Sequence, residues 1–349
     1  MLKKSFLFII SMMFFSFSHS QEKTGGRIHG LIVGDYFYKA GGDLQQYGDS
    51  LSQYSQPIAK DFQGFQIRRL HFFYDYVISE QFFTRFQLEG NNKSLEPGGR
   101  QGIYVKTAYA EWKNILPSSN LLLGLVQTPT WASAERIWGY RSIEKTIADF
   151  RNLGSGSDMG AMLRGALPTS AALNYALMIG NGNSQKPENN KYKKYYFLLG
   201  GSPFQYFSIE AYVDHEPAAL GKDRTTWKAF LSYTEKQWMA GAEITEQVQH
   251  NQDTLQNNFA VFGVSVFSWY RFSEQCKVFG RVDYYDPNRF FPCTGFYEYF
   301  LSLGIDYSPV KDIHIMPNIW INTFTDKSRA GRKKDADVVP RITFYFTFN

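Results

Sequence analysis

Residues 341–349 read RITFYFTFN. Successive side chains of an extended chain point to opposite faces. Ile342, Phe344, Phe346 and Phe348 therefore share one face, and Arg341, Thr343, Tyr345 and Thr347 share the other. A period of two with one apolar, aromatic face and one polar face specifies a strand between two different media. The edge strand of a soluble sandwich would tolerate this pattern. The last strand of a closed transmembrane barrel requires it, because that strand seals the sheet against the first with lipid on one side and water on the other.

The other end points the same way. Lys3 and Lys4 precede the apolar run SFLFIISMMFFSF at 5–17, which is too short to span a bilayer as a helix. Ser18 and Ser20 are small residues at −3 and −1 of a cleavage after Ser20. This predicts a signal peptide over residues 1–20 and a mature barrel over 21–349, with a retained anchor as the alternative. No later run reaches 18 apolar residues. FAVFGVSVFSWY at 259–270 is interrupted by Gly263, Ser265 and Ser268. A chain without spanning helices can cross a bilayer only as a closed barrel, which satisfies its backbone hydrogen bonds between strands.

Composition fits this reading. Aromatics make up 17% of the chain, with 23 Tyr and 31 Phe, enough to build girdles at two membrane interfaces. Without Lys3 and Lys4, 35 basic and 32 acidic residues remain, a net charge of +3. So small an excess gives no argument for nucleic acid, and none is expected as a partner. Cys276 and Cys293 are expected as free thiols, separated by a strand too long for a disulfide to bridge. No CxxC or HxxxH occurs, so neither a metal site nor a cofactor is expected.

Amphipathic segments recur at 27–38, 63–77, 81–90, 102–112, 120–127, 158–166, 171–180, 194–201, 205–214, 225–234, 237–247, 259–270, 276–285, 298–308, 311–322 and 339–348. That is sixteen, an even number, as single-chain bacterial barrels have. The connections alternate between short turns, such as ISE at 78–80 and PVK at 309–311, and long loops, such as 39–62, 91–101 and 128–157. The fold class expected is all-β, a transmembrane antiparallel barrel of about 16 strands. The longest loop after the first strand pair, TPTWASAERIWGYRSIEKTIADFRNLGSGS at 128–157, mixes Trp131, Ile137, Trp138 and Tyr140 with many charges, and helical turns are expected near 142–151. A solvated surface loop would not need those aromatics. The segment is expected to fold inward as a constriction loop, carrying Glu135, Arg136, Arg141, Glu144 and Lys145 toward the lumen.

Several stretches look familiar. QIRRLHFFYDYVISEQFFTRFQLEG at 66–90, LGLVQTPTWASAERIWGYRSIEKT at 123–146, VFGRVDYYDPN at 278–288 and IHIMPNIWIN at 313–322 resemble the porin O/P-like outer-membrane family, most of all its Bacteroidetes-type relatives. The best-known members of that family are phosphate-selective porins. The resemblance implies a 16-stranded pore, often a homotrimer, in the outer membrane of a Gram-negative cell. It does not supply a ladder of phosphate-binding arginines residue by residue.

Placing the more apolar face of each strand toward lipid puts Arg69, Arg85, Lys106, Arg164, Lys228, Arg281 and Arg341 in the lumen, against Asp75, Glu89, Glu210, Asp214, Glu243, Asp283 and Asp306. Seven charges of each sign predict a water-filled channel for small hydrophilic solutes and ions, with no tight phosphate site. Arg69, Arg85 and Lys106 lie on consecutive strands and suggest a mild anion preference. Pairing across neighbouring strands is the plainer use for any one of these charges. Strict alternation forces one of Arg68 and Arg69 toward lipid or into the interface. An enzyme is not expected. No GxSxG, GxGxxG or P-loop occurs, and His71 and His314 face inward, away from the outer wall where a barrel phospholipase would gather its triad. A plugged structural or adhesive barrel is the other alternative, distinguished by whether a wet path crosses the lumen.

Overall fold

The computed structural model describes residues 24–42, 59–169, 172–253, 255–291 and 294–349. The expected signal peptide and Cys293 lie outside the described residues. Sixteen antiparallel strands follow one another around a closed barrel. The first eight are β1 (Gly25–Tyr38), β2 (Gln63–Val77), β3 (Phe82–Leu95), β4 (Gln101–Leu116), β5 (Ser119–Gln127), β6 (Ser157–Ala166), β7 (Asn174–Gly180) and β8 (Lys194–Gly201). The rest are β9 (Phe207–Glu216), β10 (Arg224–Thr234), β11 (Trp238–Gln249), β12 (Phe259–Arg271), β13 (Cys276–Asp286), β14 (Phe296–Val310), β15 (Ile313–Asp326) and β16 (Asp337–Phe348).

Each strand pairs with its neighbours in sequence, and β16 closes onto β1 from Gly30↔Phe348 to Phe37↔Arg341. On β16, Ile342, Phe346 and Phe348 are exposed, while Arg341 and Thr343 on the other face are buried. Phe344 lies over Gly34 and Phe348 over Gly30, where a Cβ would collide with each ring. The rings fill the surface the two glycines leave bare, which fixes the closing register.

Several boundaries differ from those expected from the sequence. β3 and β4 run further toward the long-loop end, so the connection expected at 91–101 shrinks to 96–100. β7 begins at Asn174 rather than 171. The long loop carries a helix that was not expected, α1 (Ala132–Trp138), and a single turn, α2 (Ile147–Phe150), within the expected 142–151.

The register also shifts at several positions, and two of these shifts re-aim lumenal charges. On β2, Val33 pairs with Arg69 and Gly34 with Ile67, so Arg68 is an extra residue. On β4, Gln87 pairs with Thr107 and Leu88 with Val105, so Lys106 is extra. A bulge places two successive side chains on the same face. Arg68 therefore points inward together with Arg69, which corrects the expectation that one of them must face lipid. Lys106 and Thr107 likewise both face inward.

Candidate functional site

The 128–157 segment is held by the inward side chains of the wall. Trp138 packs against Phe267 of β12 at 5.0 Å between ring centroids, and Tyr140 stacks on Phe279 of β13 at 4.4 Å. With Phe230, Met239 and Met316 these rings form one buried cluster. Further on, Phe150 packs against Phe300 and Trp320 at 5.1 and 6.4 Å. Polar contacts fix the backbone between these anchors. The Tyr140 hydroxyl donates to Asp306 at 3.1 Å, Arg341 donates to the Ile143 carbonyl at 3.3 Å, and the Ala148 amide donates to Glu243 at 3.3 Å. Arg68 donates to the carbonyls of Ser142 and Ile143, and Arg281 donates to that of Lys145.

Behind these donors lies Asp35 of β1, fully buried, 2.7 Å from Arg68 and 3.9 Å from Arg341. The sequence reading missed both Asp35 and Arg68. The first sits in a glycine- and tyrosine-rich strand that gave no charge signal, and the second was set aside by the parity argument.

The expected site residues fall into three groups. Arg281, Asp283 and Glu144 belong to the packed side. Arg281 forms a two-point ion pair with Asp283 at 2.8 and 2.6 Å, and Glu144 is buried and accepts from the Lys145 amide at 2.9 Å. Arg85 and Arg164 lie toward the short-turn end. Arg85 holds Asp75 through two bonds of 2.7 Å, and Arg164 holds Glu111 at 3.0 Å. The third group joins the loop to β2–β4. Arg141 bridges Glu135 and Asp149, each at 2.6 Å, and Lys145 reaches Asp149 at 3.1 Å. Opposite them, Lys106 meets Glu89 at 3.3 Å. Arg69 makes no ion pair among the described residues and acts on the loop carboxylates through its field. Arg136 is exposed. Asp149 and Glu89 complete this constellation, and Glu111 completes the pair at the short-turn end. Glu111 was missed because the β4 bulge reverses parity beyond Lys106.

Electrostatics within the loop follow from these placements. Burial pushes the Glu135 carboxyl up to about 7; Arg141 opposes the shift and Asp149 adds to it. Burial acts on Asp149 as well, but Lys145 and Arg141 hold it below the usual carboxylate range. Glu135 and Asp149 keep the Arg141 guanidinium firmly charged despite its burial. Among the described residues no cluster of three or more His, Cys, Asp or Glu is arranged to hold a metal ion.

The closed 16-stranded antiparallel barrel has counterparts among solved structures. The anion-selective porin from Comamonas acidovorans matches with a TM-score of 0.65 at 11% identity, covering 93% of this chain and 100% of that one. The outer-membrane channel DcaP of Acinetobacter baumannii matches at 0.63 and 14% identity, over 93% and 97%. OmpT, an outer-membrane protein of Vibrio cholerae, matches at 0.60 and 11%, over 93% and 98%. The fold is that of the outer-membrane porins. At these identities the likeness is one of architecture and does not single out the porin O/P-like family. No family model and no curated protein matches the chain.

Proposed function

We propose that the protein is an outer-membrane porin, a water-filled channel through which small hydrophilic solutes and ions diffuse passively. The observation that carries this reading is the division of the barrel into two faces. Outward side chains form an apolar belt that includes Leu123, Leu177, Val266, Leu303 and Ile342, while charged and hydroxyl groups point inward. A closed barrel with that division suits hydrocarbon outside and water inside.

In this reading the 128–157 segment narrows the lumen. The passage runs between its charged side and the inner wall of β2–β4. Arg69, Lys106, Arg141 and Lys145 face Glu89, Glu135 and Asp149 there, and the raised Glu135 leaves the balance positive near neutral pH. A mild anion preference follows, because field strength in a narrow channel depends on the few nearest charges. Nothing in this cluster frees several cations at once, as tight phosphate binding would require. A homotrimer and a periplasmic location of the short turns belong to the same proposal.

Single-channel recording of the purified protein in planar bilayers tests it. Ohmic conductance with an anion-to-cation permeability ratio modestly above unity is expected. A sealed barrel with no conductance would favour a structural role, and micromolar phosphate block would show a far more specific pore.

A further inference from the structure

The 128–157 segment meets the wall through its backbone as well as its rings. Four successive carbonyls, those of Ser142, Ile143, Glu144 and Lys145, each accept from a side chain. Arg68 of β2 donates to the first two, and Arg341 of β16 donates to the second. Trp138 Nε1 donates to the third at 3.1 Å, and Arg281 of β13 donates to the fourth. Arg141, just before this run, and Lys145, at its end, both reach Asp149 on the charged side of the segment. Where the run is held therefore decides where those two cations stand.

A buried guanidinium that bonds only neutral carbonyls keeps an uncompensated charge, which is costly. Arg281 avoids this through Asp283, which it binds at two points and which is fully buried. Arg68 and Arg341 share one carboxylate instead. Asp35 Oδ2 lies 2.7 Å from Arg68 Nε and 3.9 Å from Arg341 Nη1, and Gln66 Nε2 donates to Oδ1 at 2.9 Å. Arg341 also donates to Asn318 at 3.0 Å. The three members stand on β1, β2 and β16, so the group straddles the seam where the barrel closes. Asp35 itself is fully buried and reaches no solute.

We propose that Asp35 is a positioning residue for the passage. It acts through Arg68 and, across the seam, through Arg341, which hold the carbonyls of 142–143 against the wall and so set the places of Arg141 and Lys145. Without its charge the Arg68 guanidinium turns toward lumenal water and lets the run go. The inference rests on the porin reading for its effect on current, but the hold on the backbone can be measured without conductance.

Amide hydrogen exchange on the full chain in detergent micelles tests it, read peptide by peptide by mass spectrometry. The amides of Ile143 and Glu144 donate to the Tyr140 carbonyl at 2.9 and 3.0 Å and report on the run. In Asp35→Asn, exchange over 139–146 is expected to quicken about tenfold while β5–β12 keep the parent's rates, because a local opening is separable from global unfolding. Arg68→Gln should act similarly. The double variant should fall well short of the product of the two single effects, since a residue that works through another adds little once that partner is gone. Asp35→Glu keeps the charge but moves it, and should quicken exchange only about twofold to threefold. It carries the test if Asp35→Asn does not fold. Unchanged exchange over 139–146 would overturn the positioning role. So would quickening shared by every strand, the mark of a merely destabilised barrel, or single effects that simply multiply. Single-channel recording supplies the consequence, with brief current steps expected in Asp35→Asn. A loosened run in a barrel that never conducts would sink the porin and leave the positioning role standing. A conducting Asp35→Asn pore with the parent's exchange would do the reverse.

Discussion

The two sides of the lumen are built from the same alternating strands and put to different uses. Along β10–β15 large rings and thioethers stand among the inward charges, and the long loop packs on them with Trp138, Tyr140 and Phe150. Along β2–β4 the inward residues are Arg69, Glu89 and Lys106, and the loop meets them with Arg141, Lys145 and Asp149. One side holds the loop by packing rings, and the other meets it through charges, with Arg68 of β2 bonding the loop backbone. The contrast teaches that a loop can carry a charged surface into a channel only if its opposite surface is anchored in a dry core.

Removing the anchored element should have the largest effect. Deleting residues 139–146 takes out Tyr140, Arg141 and the carbonyls that receive Arg68, Arg341 and Arg281. Single-channel conductance should then rise about twofold or more and the size limit for neutral sugars should widen, since pore width sets both. Unchanged conductance would mean the segment does not bound the passage.

Trp138→Ala attacks the anchor alone. Trp138 is fully buried, and losing so large a side chain costs about 3–5 kcal/mol. The heat needed to unfold the barrel on a gel should fall, and current noise should rise as the loop loosens. A Trp138→Ala pore as quiet and heat-resistant as the parent would show that the aromatic cluster is not the anchor.

The charged side invites a finer test. Replacing Arg69, Arg85 and Lys106 together with Gln should lower the anion-to-cation permeability ratio about twofold at low salt and less at high salt, as screening grows. Because Arg85 and Lys106 are committed to Asp75 and Glu89, Arg69→Gln alone should give most of that change. An equal share for each residue would show that pairing does not silence a lumenal charge.

The smallest effect is a pH dependence. Glu135 is raised to about 7. It is mostly charged at pH 8 and mostly neutral at pH 6, so acidification removes a negative charge from the passage. The anion preference should climb by roughly 1.5-fold over that interval, and Glu135→Gln should flatten the profile. A profile that persists in Glu135→Gln would assign the titration to another group.

Much of this is legible in the amino-acid sequence. The sixteen segments, the alternation of short and long connections and the closing role of residues 341–348 all rest on a period of two, which a barrel between lipid and water enforces on every strand. The loop's need for a packed surface was legible in Trp138 and Tyr140. The exceptions were not. The two bulges that re-aim lumenal charges fall where two polar residues stand in a row, Arg68–Arg69 and Lys106–Thr107, and adjacency alone cannot say whether one residue turns outward or the ladder skips. Asp35 was invisible for a different reason. Its partners Arg68 and Arg341 lie on β2 and β16, and only barrel closure brings β16 beside it.

The aromatic rings seated over Gly30 and Gly34 bear on how the molecule is assembled. Phe37 of β1 and its partner Arg341 of β16 are 304 residues apart in sequence, yet their strands must find one another to close the barrel. A slip by two residues would keep every face correct and so escape any penalty from burying charge in lipid. It would, however, set Phe344 against Ile32 or Tyr36, where no hollow waits for a ring. The two glycines thus act as a keyway, and the seam latches in a single alignment when the final strand arrives.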